Sequence, residues 1–334
     1  MNQSRIIGVG RMSSMELLQN IMERLRELGH EVTFYEDSSA FHHAVPRLTD
    51  VDAVVAAPSF FFSRALMTSA NRLRGVVSPV TGIDRFDIAA ATDLGIVIAD
   101  GQTSENTESM AEATILLVLA AIYDLHGAET ETVLRQNLPR PAQMSARMLR
   151  NKTVGLIGFG QIVRAVAGRL IGWNLTIQAY TRRIRDDDPH CVHFVGLDDL
   201  LRTSDVVCVL STLNDESRNL LNADRLRLLK KDAVLVNTAR GAIIDEAALY
   251  EMATQRPDLR LALDTFTTEP LPPQSPLRDL PNTILTPHML GHTQESLAAL
   301  PDIAIENVQR ILAGQLPADV CNPDVVTRWQ TPWG

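Results

Sequence analysis

The 334-residue sequence predicts an α/β protein of two doubly wound parallel-sheet domains. Three observations carry that prediction. Short β-branched runs alternate with amphipathic stretches, which requires crossover connections and hence parallel strands. The alternation ends near residue 103 and restarts near residue 153. A Gly-x-Gly pair follows the first strand of each series.

In the first series the strands are RIIGV, EVTFY, DAVVAA, RGVVS and GIVIA. Between the first two, SMELLQNIMERLREL has helical periodicity; Ser13 with Glu16 reads as a capping box opening it and Gly29 as its close. A long helix follows from about Thr107 to Leu125. Its core, MAEATILLVLAAIYDL, is too short to span a bilayer comfortably and carries Glu112 and Asp124, so it reads as a buried helix. The segment HGAETETVLRQNLPRPAQMSARMLRN, with Pro139 and Pro141, reads as a surface connection or an arm toward a partner subunit.

The second series runs TVGLIGFG, LTIQAY, DVVCVLS, DAVLVNTA, LRLALDTF and TILTPH, and a last helix covers Gln294 to Leu312. Helices before and after an inserted domain let the C-terminus return to the first one. Residues 1–103 with 294–334 are therefore expected to form one domain and 104–293 the other.

Composition narrows the function. With 45% hydrophobic and 21% charged residues the chain is an ordinary globular protein, and a net charge of -9 argues against nucleic acid or an anionic membrane as partner. Small molecules remain. Cys191, Cys208 and Cys321 are widely spaced, which indicates neither a disulfide framework nor a zinc finger and fits a reducing cytoplasm. The N-terminus lacks the apolar stretch of a signal peptide. The run DDDPHCVHF, with His190, Cys191 and His193, reads as a solvated loop, and no metal is expected. His288 and His292 have i, i+4 spacing, but Pro287 and Gly291 break any helix between them.

A dinucleotide loop needs glycine first for a tight turn and second for close approach of backbone to pyrophosphate at a helix N-terminus. Gly158 and Gly160 meet both needs, between the strand TVGLI and a helix opening with Gln161 and Ile162. The third glycine's place is held by Val163, which is expected to shift the helix slightly without abolishing the cradle. The N-terminal pair, Gly8 and Gly10, lacks a ribose partner after the next strand and reads as a tight turn. Where an Asp or Glu normally binds the ribose 2′-hydroxyl of NAD, this chain has Thr181-Arg182-Arg183. A hydroxyl and two guanidiniums suit a 2′-phosphate, so NADP(H) is expected to be preferred and NAD(H) possible. The alternative is a solvated surface cluster.

Three further stretches, VNTARGAIIDEAAL, LALDTFTTEPL and ILTPHMLGHT, lie at or after the C-terminal ends of predicted strands, the edge where such sheets bind ligands. With the glycine loop they resemble the D-isomer-specific 2-hydroxyacid dehydrogenase family, in particular glyoxylate/hydroxypyruvate reductase-like members. The resemblance implies a Rossmann-like cofactor domain inserted into a flavodoxin-like substrate domain. It places the family's substrate-binding arginine at Arg240, its carboxylate at Glu269, its acid/base histidine at His288 and its nicotinamide-side aspartate at Asp264, with Thr212 and Thr238 beside the cofactor. Hydride would pass to C2 of a 2-oxo acid while His288 gives a proton to the developing alkoxide. Read singly, Arg240 fits a loop ion pair, Glu269 a cap before Pro270 and His288 a strand-end residue.

The same resemblance assigns the substrate carboxylate to backbone amides in SPVTGIDRFD, at Val80, Thr81 and Gly82, although the turn departs from the glycine-rich pattern. Leu210-Ser211-Thr212 replaces the frequent His-x-Pro. Phe60, leading the triplet Phe60-Phe61-Phe62, is expected to line an apolar substrate wall, the alternative being core. A homodimer is implied. Two other readings share the fold: a dinucleotide-sensing corepressor that recruits peptides, and a phosphite-type dehydrogenase.

Overall fold

The structure, a computed structural model, describes residues 4–10, 15–44, 48–130, 145–185 and 188–329. Ser13 of the expected capping box and the prolines of the expected arm, Pro139 and Pro141, lie outside them. The chain divides into two compact units, Met1–Glu105 with Gln294–Gly334, and Asn106–Thr293.

The first unit holds strands β1 (Arg5–Val9), β2 (Glu31–Tyr35), β3 (Ala53–Ala56), β4 (Gly75–Val77) and β5 (Val97–Ala99) in the parallel order 2-1-3-4-5. Its helices are α1 (Met15–Glu27), α2 (Ser38–Ala44), α3 (Arg64–Thr68) and α4 (Ile88–Asp93). This is the flavodoxin-like strand order. Helix α1 ends at Gly29, whose φ of 92° only glycine adopts cheaply. Successive residues point to opposite faces: Val54 and Ala56 enter one apolar cluster, Ala53 and Val55 the other. Both faces are covered, which is why these strands read as continuous apolar runs rather than alternating ones.

The second unit opens within α5 (Ser104–Ile122), followed by α6 (Leu125–Thr130). The expected helix end at Leu125 is corrected to Ile122. Asp124 takes a left-handed φ of 55°, and the buried Arg260 guanidinium donates to the carbonyls of Ala121 and Ile122 at 2.7 and 2.8 Å, in the last turn of the helix. Strands β6 (Thr153–Ile157), β7 (Thr176–Tyr180), β8 (Val192–Phe194), β9 (Val206–Val209), β10 (Val234–Asn237), β11 (Arg260–Leu263) and β12 (Thr283–Leu285) form one parallel sheet in the order 12-11-10-9-6-7-8. Helices α7 (Gln161–Leu170), α8 (Leu197–Thr203), α9 (Ala223–Leu226) and α10 (Glu246–Gln255) accompany them. The order reverses between β6 and β9, and that switch point is where doubly wound sheets take ligands. Cys208 and Val236 face one core, Val207 and Leu235 the other.

The chain then returns to the first unit as α11 (Gln294–Leu312) and α12 (Val326–Trp329). Arg24 of α1 pairs with Asp302 of α11 at 2.7 Å, and the buried Asn322 side chain accepts from Ile98 N–H and donates to Ile96 C=O. Among the described residues no helix is long and apolar enough to cross a membrane.

Two expectations need correction. The run around His190 is no solvated loop: Val192–Phe194 is the edge strand β8 paired with β7, and Asp188 is buried, accepting from Arg185 N–H and the Arg164 guanidinium. Phe60 is no wall either. It is 1% exposed, packed edge-on to Phe41 at 5.1 Å and beside Phe62, where burial stabilises the fold by about 1.5–3 kcal/mol. Of the triplet only Phe61, 60% exposed, is open to a ligand.

Candidate active site

Two glycine loops were legible, and their surroundings separate them. A Cβ on Gly8 would meet the Met22 sulfur at 2.6 Å, and one on Gly10 the Phe34 ring at 3.0 Å, so helix and ring packing already explain that loop. A Cβ on Gly160 would meet nothing within 4 Å. Gly160 caps α7 without a side-chain hydrogen bond, leaving first-turn N–H groups to a ligand. Gly158 takes φ 102° where the backbone passes close to Leu210 and Ser211.

These residues line a cavity of ≈ 330 Å³ together with Thr181, Arg182, Arg183, Leu210, Ser211, Thr212 and Glu216. The cavity lies at the switch point between β6 and β9, so an open glycine cradle, helix N–H groups and cationic side chains meet in one place. That donor set fits a dinucleotide. The residues in place of His-x-Pro belong to its wall, since Leu210 N–H donates to Ile157 C=O at 2.9 Å.

Gln161 and Ile162 open α7, so their backbone N–H groups belong to that first turn, while the Gln161 side chain is exposed and the Ile162 side chain packs against the apolar core. Thr238 is buried, its hydroxyl 3.1 Å from that of Thr114, which already donates to Met110 C=O. The Thr238 hydroxyl must therefore donate to Thr114 and is spent on α5. Val163 enters the core at 1% exposure, so an apolar side chain fills the third glycine's place.

Beyond the cavity, the loops after β10, β11 and β12 carry Arg240, Asp264, Glu269 and His288. Asn237 ties the first loop internally: its amide donates to Arg240 C=O at 3.1 Å and accepts from Ala239 N–H at 3.1 Å. A Cβ on Gly241 would fall 2.0 Å from the Phe266 carbonyl carbon. Only glycine lets the Arg240 loop lie directly on the Phe266–Thr267 backbone.

Asp264, 1% exposed, accepts from the Thr286 hydroxyl at 2.7 Å and Met289 N–H at 3.3 Å, bracing the turn that holds His288. His288 has a left-handed φ of 58°, an uncommon backbone for a non-glycine residue and one that occurs at functional sites. Glu269 accepts from Phe266 N–H through Oε1 at 3.0 Å, and its Oε2 lies 2.8 Å from His288 Nδ1. Burial opposes ionisation of Glu269. The His288 hydrogen bond, the Phe266 amide and the charges of His288 and Arg240 outweigh it and hold the carboxyl below its usual range. An ionised carboxylate only accepts, so Nδ1 carries the hydrogen and Nε2 is left to meet a ligand. Burial, then the neighbouring His288 charge, pushes the His292 imidazole down against an opposing pull from Asp264.

In the first unit, the turn at Val80–Gly82 is internally held: Val80 C=O accepts from the Ser78 hydroxyl at 2.8 Å and from Gly101 N–H at 3.2 Å. Gly82 N–H donates to Asp100 at 3.3 Å.

One polar residue of the cavity had no sequence signal. Glu216, after β9, forms an ion pair with Arg182. Its backbone N–H donates to the Asn214 side chain at 3.0 Å.

Residues 115–289 match the family model described as D-isomer specific 2-hydroxyacid dehydrogenase, NAD binding domain. The chain is 34% identical over 270 residues to a glyoxylate reductase from Aeropyrum pernix, covering 78% of this chain and 80% of that one. Among solved structures it is similar to an NADPH-dependent glyoxylate/hydroxypyruvate reductase from Sinorhizobium meliloti in complex with NADP and malonate, at 26% identity and a TM-score of 0.79 over 96% and 97% of the two chains. It is also similar to an NAD-dependent formate dehydrogenase from Staphylococcus aureus in complex with NAD, at 28% identity and a TM-score of 0.77 over 92% and 95%. The match over residues 115–289 and the 34% identical relative show that the chain, with its two parallel-sheet units, belongs to the D-isomer specific 2-hydroxyacid dehydrogenase family.

Proposed function

We propose that the protein is an NADPH-preferring reductase of 2-oxo acids, acting at C2 to give the D-2-hydroxy acid. The observation that carries the chemistry is the 2.8 Å contact between Glu269 and His288 Nδ1. When bound, the nicotinamide cofactor supplies the hydride. His288 holds a proton at Nε2 and delivers it to the substrate oxygen as charge develops there. Glu269 fixes the tautomer and supports the imidazolium, and Asp264 keeps the turn in register. Arg240 holds the substrate carboxylate and draws on the neighbouring carbonyl oxygen with a planar fork of donors. The turn at Val80–Gly82 is assigned to substrate by resemblance. Gly82 N–H already donates to Asp100 at 3.3 Å, a bond that a substrate carboxylate would have to displace.

Cofactor preference rests on what surrounds the end of β7. No carboxylate stands at the usual ribose position, and Arg182 and Arg183 both line the cavity. Among the described residues Arg183 has no ion-pair partner, which leaves its guanidinium for a phosphate. The S. meliloti relative is named as NADPH-dependent, which supports the same reading. The test measures oxidation of NADPH and NADH side by side with substrates from glyoxylate and hydroxypyruvate to aryl-substituted pyruvates. Faster turnover with NADPH at equal concentration is expected. Equal or faster turnover with NADH would overturn the preference, and no turnover with either would overturn the reductase.

A cytoplasmic homodimer belongs to the same reading. The support for the dimer is the apolar surface on and just after α5, where Leu116, Tyr123 and Leu125 are 54%, 51% and 59% exposed. Sedimentation at twice the chain mass is expected; a monomer at micromolar concentration would refute it.

A further inference from the structure

We infer that Glu216 is a specificity-determining residue that limits the protein's preference for a 2′-phosphorylated dinucleotide. The inference rests on the assignment of Arg182 and Arg183 to that phosphate. Both arginines line the cavity, and so does Glu216, whose carboxylate is ion-paired with the Arg182 guanidinium. The carboxylate comes from the far wall, on the segment after β9, while the arginines follow β7.

Glu216 is held in place by its own segment. Asn214 accepts from the backbone N–H of Glu216 and Ser217, both at 3.0 Å, while the Ser217 hydroxyl donates to Thr212 C=O at 2.7 Å. These bonds use backbone and neighbouring side chains, so the Glu216 carboxylate is free of any role in shaping the turn. Its only ion-pair partner among the described residues is Arg182.

A phosphate entering this corner meets two cations and one anion. Arg183 has no ion-pair partner among the described residues, whereas Arg182 must first leave a carboxylate or share itself with one. The pair is well exposed, 62% and 70% at the two side chains, so solvent and salt weaken it and a phosphate dianion can compete. A dinucleotide ending in a 2′-hydroxyl carries no charge there and meets no such repulsion. Glu216 therefore narrows the gap between the two cofactors rather than reversing it.

The experiment measures dissociation constants of NADPH and NADH by fluorescence for the full-length wild type, Glu216→Gln, Arg183→Gln and Arg182→Gln/Glu216→Gln. Glutamine keeps the size of the side chain and leaves the backbone bond to Asn214 in place. Expected is an affinity for NADPH about two- to fivefold tighter in Glu216→Gln, with NADH nearly unchanged. Much of that gain is expected to vanish when Arg182 is also replaced. An unchanged ratio of the two constants in Glu216→Gln, while Arg183→Gln selectively weakens NADPH, overturns the inference and leaves the arginine assignment standing. If Arg183→Gln and the double variant both leave NADPH binding as in wild type, the arginine assignment fails first. A tighter NADH constant in Glu216→Gln by the same factor also overturns the inference, because the effect would then be independent of the phosphate.

Discussion

Replacing His288 with glutamine is expected to lower kcat for 2-oxo acid reduction by about 10²–10⁴, with dinucleotide affinity nearly intact. The cofactor cavity is lined from the loops after β6, β7 and β9, whereas His288 sits after β12, so the variant separates proton delivery from cofactor binding. Glutamine can still hydrogen-bond a carbonyl oxygen, but it has no proton to give. Glu269→Gln tests the brace. Because Glu269 is held below the usual carboxylate range, it stays ionised down through the ordinary carboxylate pKa, and its support of the imidazolium is lost only as pH falls below that range. Through neutral and alkaline pH the carboxylate is therefore constant, and the loss of activity tied to its protonation lies on the acid side. Glutamine cannot take up a proton there, so Glu269→Gln is expected to lower kcat and to abolish that acid-side loss. An acid limb unchanged in Glu269→Gln would mean that another group sets it.

The strand frame and the His288–Glu269–Arg240 set were legible for different reasons. Parallel strands buried on both faces leave long β-branched runs, so β9 and β10 stand out against the polar turns around them. The chemical residues follow strand ends, where short local motifs hold them. What the sequence hides is set by packing across the chain. Nothing in the Phe60-Phe61-Phe62 run tells which ring turns inward; the core formed with Phe41 decides it. Strand β8 is three residues long, too short for a period, and exists because it pairs with β7. Glu216 meets Arg182 across 34 residues only because the sheet order brings the ends of β7 and β9 to one cavity. That the Thr238 hydroxyl meets Thr114, 124 residues earlier, is likewise set by packing.

Replacing Arg240 is the second large effect, and the choice of substitute makes it informative. Arg240→Ala is expected to lower kcat/KM for 2-oxo acids by about 10³, since it removes both the anchor for the carboxylate and the donor that steadies charge on the carbonyl oxygen. Arg240→Lys keeps the positive charge but replaces a planar fork by a single ammonium, so binding should recover more than turnover does. The expected pattern is therefore a raised KM with a depressed kcat in alanine, and a nearly normal KM with kcat still low in lysine. Most of the loop's support lies in its backbone, which Asn237 holds through the Arg240 carbonyl and Gly241 fits against Phe266; the Arg240 guanidinium adds a bond of its own to Ala239 C=O at 2.8 Å. Arg240 also helps hold the Glu269 carboxyl ionised, though that charge is the last and smallest of the influences on it. The acid-side loss of activity set by Glu269 should thus stay close to wild type in both variants. If lysine restored kcat and KM together, a point charge would suffice and the bidentate role would be wrong; if alanine left kcat/KM within a few-fold, Arg240 would be a loop residue without a part in the reaction.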